Sequence, residues 1–410
     1  MISLGSESAA AGRAEITPDE AAVSHSHYYD AALHRAITET GILDGRRTLE
    51  RAAASAAFRA LVGGEGGGPT GPEGDISELF AATGLGSVLK CDLGPTGGSV
   101  TVAASDFVKA RVSMFGRASQ PSCDISRGVL AGAIGALHDA AFVVKEVECV
   151  GMGAKVCRFV ARIDSESIGA MTLPAFEWPG RGLAPAPDAA APSTDLLMEV
   201  VGSIGVGSGV TQSRLWAEMY ARATYEFERQ VPAEMGAKFS NLPSIVLTEA
   251  AHLGTFYSVG GLVRSKEWRA RAAAVIQARE DWVHAIVALV DSYGWGSWRI
   301  RLLAPEQRFT VHVHYGYEAL SYLALAGKPA SSPRCYFSRG FVGGLMNTLF
   351  GGDVLSPASL DQKVYNALFR SPASFRAIET RCQAMGDSCC EFVANPLSPG
   401  LRRNYAPSAS

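Results

Sequence analysis

The pattern of apolar and polar positions divides this 410-residue chain into two halves of similar layout. The Ala-, Leu- and Arg-rich run from 19 to 62 predicts two helices, at 28–39 and 46–61, broken at Gly41. Asp75 reads as the cap of a short helix reaching 85. The pattern then alternates, and 87–93 and 99–104 read as strands joined by the turn Gly94-Pro-Thr-Gly-Gly98. A helix at 126–138, with small residues along one side, precedes two closing strands at 142–150 and 155–163. Pro174, Pro179, Pro185, Pro187 and Pro192 among Gly and Ala mark 164–194 as a linker. A longer helical section follows at 195–290, then strands at 294–301 and 309–315 and a short helix at 361–369. The expected class is α+β: a helix-plus-antiparallel-sheet domain present twice, at 17–163 and 195–396. The ends, 1–16 and 397–410, read as disordered.

The case for duplication is chemical. Glu146-Val-Glu-Cys149-Val-Gly-Met-Gly153-Ala-Lys-Val-Cys157-Arg-Phe159 shares the pattern E-x-x-C-x-x-M-G-x-x-x-C-x-F with Glu379-Thr-Arg-Cys382-Gln-Ala-Met-Gly386-Asp-Ser-Cys-Cys390-Glu-Phe392. Upstream of each lies C-x-x-S-R-G-x-x-x-G, from Cys123 to Gly132 and from Cys335 to Gly344. About twenty extra residues separate the two blocks in the second half. Six of the eight cysteines fall in these repeats, leaving Cys91 and Cys389 over. In each half the Met-Gly turn reverses the chain and returns the last Cys beside the middle one. Three thiolates and a carboxylate supply the four ligands of a closed structural Zn²⁺ site. Iron–sulfur chemistry fits this mixed set less well. The expectation is two structural Zn²⁺ per chain, one on Cys123, Glu146, Cys149 and Cys157, the other on Cys335, Glu379, Cys382 and Cys390. Ser126-Arg127 and Ser338-Arg339 stand at helix starts, where Ser suits capping and Arg suits a buried carboxylate or a ligand acid group.

Composition narrows the classes of function. Hydrophobic residues make up 47% and charged residues 19%, as in a globular protein with a sizeable core. A net charge of −3 argues against a nucleic-acid surface or a basic membrane patch. With no leader-like N-terminus and no spanning apolar run, the expected location is cytoplasmic. The glycine runs at 63–69 and 202–209 lack the strand, Lys-Ser/Thr or acidic partner of a nucleotide loop.

The two blocks resemble the 4-vinyl-reductase domain, also called the hydrocarbon-binding domain, over roughly 75–163 and 245–395. That family includes the aromatic-sensing domains of phenol- and toluene-responsive activators and a protein of bacteriochlorophyll synthesis, and is distantly similar to vesicle-tethering subunits. In the phenol sensors the zinc ligands are three Cys and a Glu at this spacing, which implies the same eight residues. The resemblance also implies an apolar pocket between helices and sheet, with a His and a Trp as polar handles. The second half has material for it: His284, Tyr293, Trp295, Trp298 and His314 are the expected ligand-binding residues, with Trp282, His312, Tyr315 and Tyr317 nearby. The first half, poor in aromatics in its hairpin, reads as a partner domain packing as an internal pseudo-dimer; a homodimer is the alternative. His25, His27, Tyr28 and Tyr29 read as a helix start.

The leading expectation is a zinc-stabilised sensor or carrier of a small hydrophobic or aromatic molecule. Without a Walker A motif or helix-turn-helix, output is expected to pass through a protein partner. The alternatives are an enzyme or accessory factor in tetrapyrrole vinyl reduction or aromatic metabolism, and a scaffolding subunit. No nucleophile–base constellation, nicotinamide or flavin loop, or open metal position supports catalysis.

Overall fold

The computed structural model describes residues 22–41, 44–63, 72–103, 105–164, 210–272, 276–305, 307–356 and 359–397. The expected N-terminal and C-terminal disorder, both glycine runs and all but the first residue of the expected linker lie outside these, apart from Gly63 and Leu397.

The first half runs β1 (Ala22–Ser26), α1 (His27–Thr38), α2 (Gly45–Gly63), α3 (Pro72–Thr83), β2 (Val88–Gly94), β3 (Gly97–Val102), α4 (Asp106–Phe115), α5 (Asp124–His138), β4 (Phe142–Glu148) and β5 (Cys157–Ile163). The second runs β6 (Gln212–Trp216), α6 (Ala217–Met235), α7 (Leu242–Arg264), α8 (Lys266–Ala272), α9 (Arg279–Ser292), β7 (Ser297–Ala304) and β8 (Arg308–His314). It closes with α10 (Tyr317–Ala326), α11 (Tyr336–Phe350), α12 (Gln362–Phe369), β9 (Phe375–Arg381) and β10 (Cys390–Pro396). Two four-stranded antiparallel sheets result, ordered β2-β3-β5-β4 and β7-β8-β10-β9. Mixed helix and antiparallel sheet is thus the observed class. Among the described residues no helix is long and apolar enough to cross a membrane.

The registers of the two sheets correspond. Val102 of β3 stands between Val88 and Cys157, and Val313 of β8 stands between Trp298 and Cys390. Behind each sheet a glycine-bearing helix lies against a long one. A Cβ on Gly132 of α5 would come 2.1 Å from the Ala54 carbonyl oxygen of α2, and one on Gly344 of α11 would come 2.7 Å from Thr255 of α7. Gly128 and Gly340 are as tight, at 2.2 Å from the Glu50 oxygen and 2.5 Å from Ala251. The repeated G-x-x-x-G is therefore a packing device: it brings two helix backbones closer than any side chain would allow.

The halves exchange their first elements. β1 and β6 pair antiparallel, Ser24 opposite Arg214, in a separate two-stranded sheet. β1 is fastened to the second half: the Ser24 N–H donates to the Tyr293 carbonyl at 2.9 Å, and Trp295 Nε1 donates to the Ser24 carbonyl at 2.9 Å. Helix α1 continues this crossing along α7, where Tyr29 bonds Thr255 and Ser26 bonds Ser258. In the opposite direction α6 lies along α2, with Ser55 donating to Glu218 at 3.4 Å and Thr48 to Gln230 at 3.1 Å.

Several elements differ from expectation. The helical section expected to 290 contains β6 and three breaks, and α4 and α10 were not expected. Asp75 lies inside α3, which begins at Pro72. Ser126 and Ser338 do not cap their helices; Cys123 and Cys335 occupy those cap positions. Ser338 instead donates its hydroxyl to Glu318 at 2.7 Å, whose carboxylate also accepts from the Phe337 and Ser338 amides at 2.8 Å. Arg127 pairs with Glu50 and, at 3.0 Å, with Asp124; Arg339 donates to Thr248 and to Ser244.

Candidate metal clusters and an aromatic chamber

Each repeated motif folds the same way. The first Cys begins a helix, α5 or α11. The Glu lies on the outer strand, β4 or β9, and the last Cys begins the neighbouring strand, β5 or β10. Between Cys149 and Cys157 a 3-10 turn, Val150–Met152, ends at Gly153 with φ 105°; Gln383–Met385 and Gly386 with φ 102° do the same in the second half. That left-handed backbone favours glycine, which is why the Met-Gly pair recurs.

The result is two compact clusters. Cys123, Glu146, Cys149 and Cys157 bring their ligand atoms within 4.8 Å of one another, and so do Cys335, Glu379, Cys382 and Cys390. Cys123 Sγ lies 3.6 Å from Cys157 Sγ; Cys335 Sγ lies 3.5 Å from Cys390 Sγ and 4.0 Å from Cys382 Sγ. These separations are far beyond the ~2.05 Å of a disulfide and close to the ~3.8 Å edge of a tetrahedron with metal–sulfur bonds of about 2.3 Å. One carboxylate oxygen accepts the Cys123 amide at 3.0 Å, and its counterpart accepts the Cys335 amide at 3.1 Å. The other oxygen of each Glu is buried with no hydrogen-bond partner. An orphaned carboxylate oxygen among three thiols is costly unless a cation satisfies it, so the donor set fits a metal. The electrostatics agree: burial pushes Glu146 up to about 7 and Glu379 up to about 9, the neighbouring thiols adding to the effect. Hydrogen bonds to Cys149 and then Cys157 hold the Cys123 thiol well above its ordinary value. Four like-charged ligands do not ionise together in this space without a compensating cation. The insertion in the second half, which carries α12, leaves the Cys335 cluster as compact as the first.

A second feature lies in the second half alone. His25, from the crossing strand β1, is 1% exposed, and neither of its ring nitrogens has a hydrogen-bond partner. Its ring stacks on Tyr220 at 4.2 Å and lies against Trp295 at 4.8 Å, Tyr317 at 5.6 Å and Tyr29 at 5.8 Å. Burial lowers its pKa to about 3, so the imidazole is neutral. A small cavity lies on each side of this knot. One, of about 50 Å³, is lined mainly by aliphatic and aromatic groups, among them Tyr29, Tyr293, Trp295, Leu289 and Phe341, with Ser26 and Ser258 as its hydroxyls. The other, of about 20 Å³, lies among Tyr220, Tyr317, Phe337 and Glu318. Burial pushes Glu318 up to about 7 against its three amide and hydroxyl donors.

The expected ligand residues divide. Tyr293 and Trp295 line the larger cavity, Tyr293 accepting from the Gln212 side chain. Trp298 stands just behind it, edge-on to Phe341 at 5.5 Å, its buried Nε1 without a partner. His284 lies half-buried on α9 and lines neither cavity. His314 is buried on β8, its ring 6.5 Å from that of His312. Trp282 packs on Trp268 at 4.6 Å, outside the chamber. His25 and Tyr29, read as a helix start, are the residues sequence reasoning missed. Polar groups crowded at a helix start were the only sign of them.

No curated protein matches this chain. Among solved structures it is similar to the phenol-responsive sensory domain of the transcription activator PoxR with phenol, at 23% identity and a TM-score of 0.30, covering 33% of this chain and 74% of that one. It is also similar to a vinyl-4-reductase family protein from Methanocaldococcus jannaschii, at 18% identity and a TM-score of 0.22, covering 28% of this chain and 68% of that one. The family model of the 4-vinyl-reductase domain matches residues 108–163, from within α4 to the end of β5, and so takes in Cys123, Glu146, Cys149 and Cys157 of the first cluster.

Proposed function

We propose that this protein binds a small aromatic molecule in the His25 chamber of its second half, as a sensor or carrier, and that the two cysteine clusters hold structural Zn²⁺. On this reading the chain is a tandem of 4-vinyl-reductase-like domains, 17–163 and 195–396, the first serving chiefly as the partner that supplies β1 and α1. The observation that carries the ligand reading is His25: a buried, neutral imidazole with neither nitrogen partnered, ringed by Tyr29, Tyr220, Trp295 and Tyr317. An unpaired buried polar group costs roughly 1–3 kcal/mol, and a ligand hydroxyl would satisfy it while its ring stacks on the surrounding aromatics. The cavity beside Tyr29 and Trp295, about 50 Å³, is smaller than the ~150 Å³ apolar cavity that admits benzene. Entry therefore requires lining side chains to move, and half-buried Tyr293 is the wall nearest solvent.

In the clusters, a bound Zn²⁺ would be a closed four-ligand ion that ties a helix start to two strands. Cys123 and Cys335 would hold it from the helix and the Glu and two remaining Cys from the sheet. The test of the ligand reading is thermal unfolding of the full chain with and without millimolar phenol. A ligand at 100 times its dissociation constant stabilises the folded state by about 2.7 kcal/mol, and that shift should vanish in His25→Leu. The absence of any shift with phenol and its methyl-substituted relatives, or a shift that survives His25→Leu, would overturn the reading.

A further inference from the structure

The outer face of the second sheet carries a different set of metal-ligand side chains. Along β8 the residues alternate: Val311 and Val313 face the core, while His312 and His314 lie on the opposite face. In β10, Glu391 stands directly across from His312, and Cys390 across from Val313. Antiparallel pairing therefore places Cys389, one residue before the strand, beside His314 on that same outer face. Ligand atoms of His312, His314 and Cys389 all lie within 4.8 Å of one another. Cys389 is 2% and His314 9% exposed, while His312 reaches solvent, so the cluster is a recess open on one side.

We propose that His312, His314 and Cys389 form a third metal site, separate from the two Cys₃Glu clusters, taking a divalent transition ion of intermediate softness such as Zn²⁺ or Co²⁺. Two imidazoles and a thiolate are the donors such ions prefer, and three protein ligands leave one tetrahedral position for water or an external donor. Glu391 is the positioning residue. Its carboxylate lies 2.8 Å from His312 Nε2 and also accepts from the Thr380 hydroxyl, which fixes the tautomer and angle of the ring. The first half shows that the fold does not need these groups. By register, its counterparts of His312, His314, Cys389 and Glu391 are Thr101, Ala103, Val156 and Arg158, among which no metal ligand occurs. Cys389, unmatched in the repeated motif, thereby gains a role.

The test is a Co²⁺ titration of the zinc-loaded full chain, followed by visible absorption. The unsubstituted protein should take up one Co²⁺ beyond its resident zinc, with ligand-field bands of a tetrahedral ion and a thiolate charge-transfer band. Cys389→Ala and His314→Gln should lose that equivalent while keeping the resident zinc. Glu391→Gln should bind it about 10- to 100-fold more weakly. If Cys389→Ala fails to fold, the solvent-side His312→Asn serves, with the same expected loss. No Co²⁺ uptake by the unsubstituted chain, or uptake and spectrum unchanged in His312→Asn, would overturn the site and leave His312 and Glu391 as an ordinary surface ion pair.

Discussion

Where the first half has Leu85, Ile125, Val129, Leu215 and Met219, the second has Trp295, Phe337, Phe341, His25 and Tyr29. The equivalence follows from sheet register, from the starts of α5 and α11 and of α1 and α6, and from the close approach of Gly84 to Gln212 and of Gly294 to Ala22. Both sets are buried. The aliphatic set needs no hydrogen bonds and fills its space. The aromatic set leaves an imidazole unpaired and two small cavities beside it. One scaffold thus tolerates either filling, and its stability does not call for the polar one. The cysteine clusters show the opposite behaviour: ligand for ligand they are the same in both halves. What is shared belongs to the architecture, and what differs marks where the second half does something the first does not.

The largest expected effect concerns the shared part. Cys149→Ser and Cys382→Ser should each lose one metal ion relative to the unsubstituted chain by elemental analysis. Each should also lose roughly 3–5 kcal/mol in denaturant unfolding, because structural zinc binding is folding free energy. A large loss in one half with none in the other would break the equivalence of the clusters. Gly132→Ala and Gly344→Ala should each cost about 1–3 kcal/mol, since the added methyl meets the facing helix in both halves. A neutral outcome at either position would show that its helix pair can separate freely.

A third prediction sharpens the difference. His25 titrates near 6.5 when unfolded and near 3 when folded, so between these values the unfolded chain binds the extra proton. Stability therefore falls as pH drops below 6.5, by about 2 kcal/mol between pH 7 and pH 5 from this group. His27, lowered to about 4 by burial, acts in the same direction. Asp30, raised by burial to about 6, is protonated more readily when folded and partly offsets both over this range. His25→Leu should remove only its own share. Unfolding curves at the two pH values that differ equally in variant and parent would contradict a buried neutral His25. At neutral pH the same substitution, which installs the first-half residue, should alter stability least, by about 1 kcal/mol, and upward.

The metal clusters were legible in the sequence because their ligands are close along the chain and repeated with their turn glycines. The sheets were legible for a similar reason: neighbouring strands alternate and are joined by short turns. The chamber was not. His25 lies far from Trp295 along the chain and touches it only in space. It gets there by crossing to the other half on a five-residue strand, Ala-Val-Ser-His-Ser, with a single large apolar side chain. No local period announces such a strand. His284 was expected at the ligand because it lies on the helix before the sheet, but α9 presents its Ile286, Leu289 and Val290 to the cavity instead.

The claim that only the second half carries a ligand chamber is tested most directly by isothermal titration calorimetry of the full chain with phenol. The account predicts one site per chain, lost in His25→Leu and retained in Leu215→His at the equivalent first-half position. Two equal sites, or one that survives His25→Leu, would contradict it.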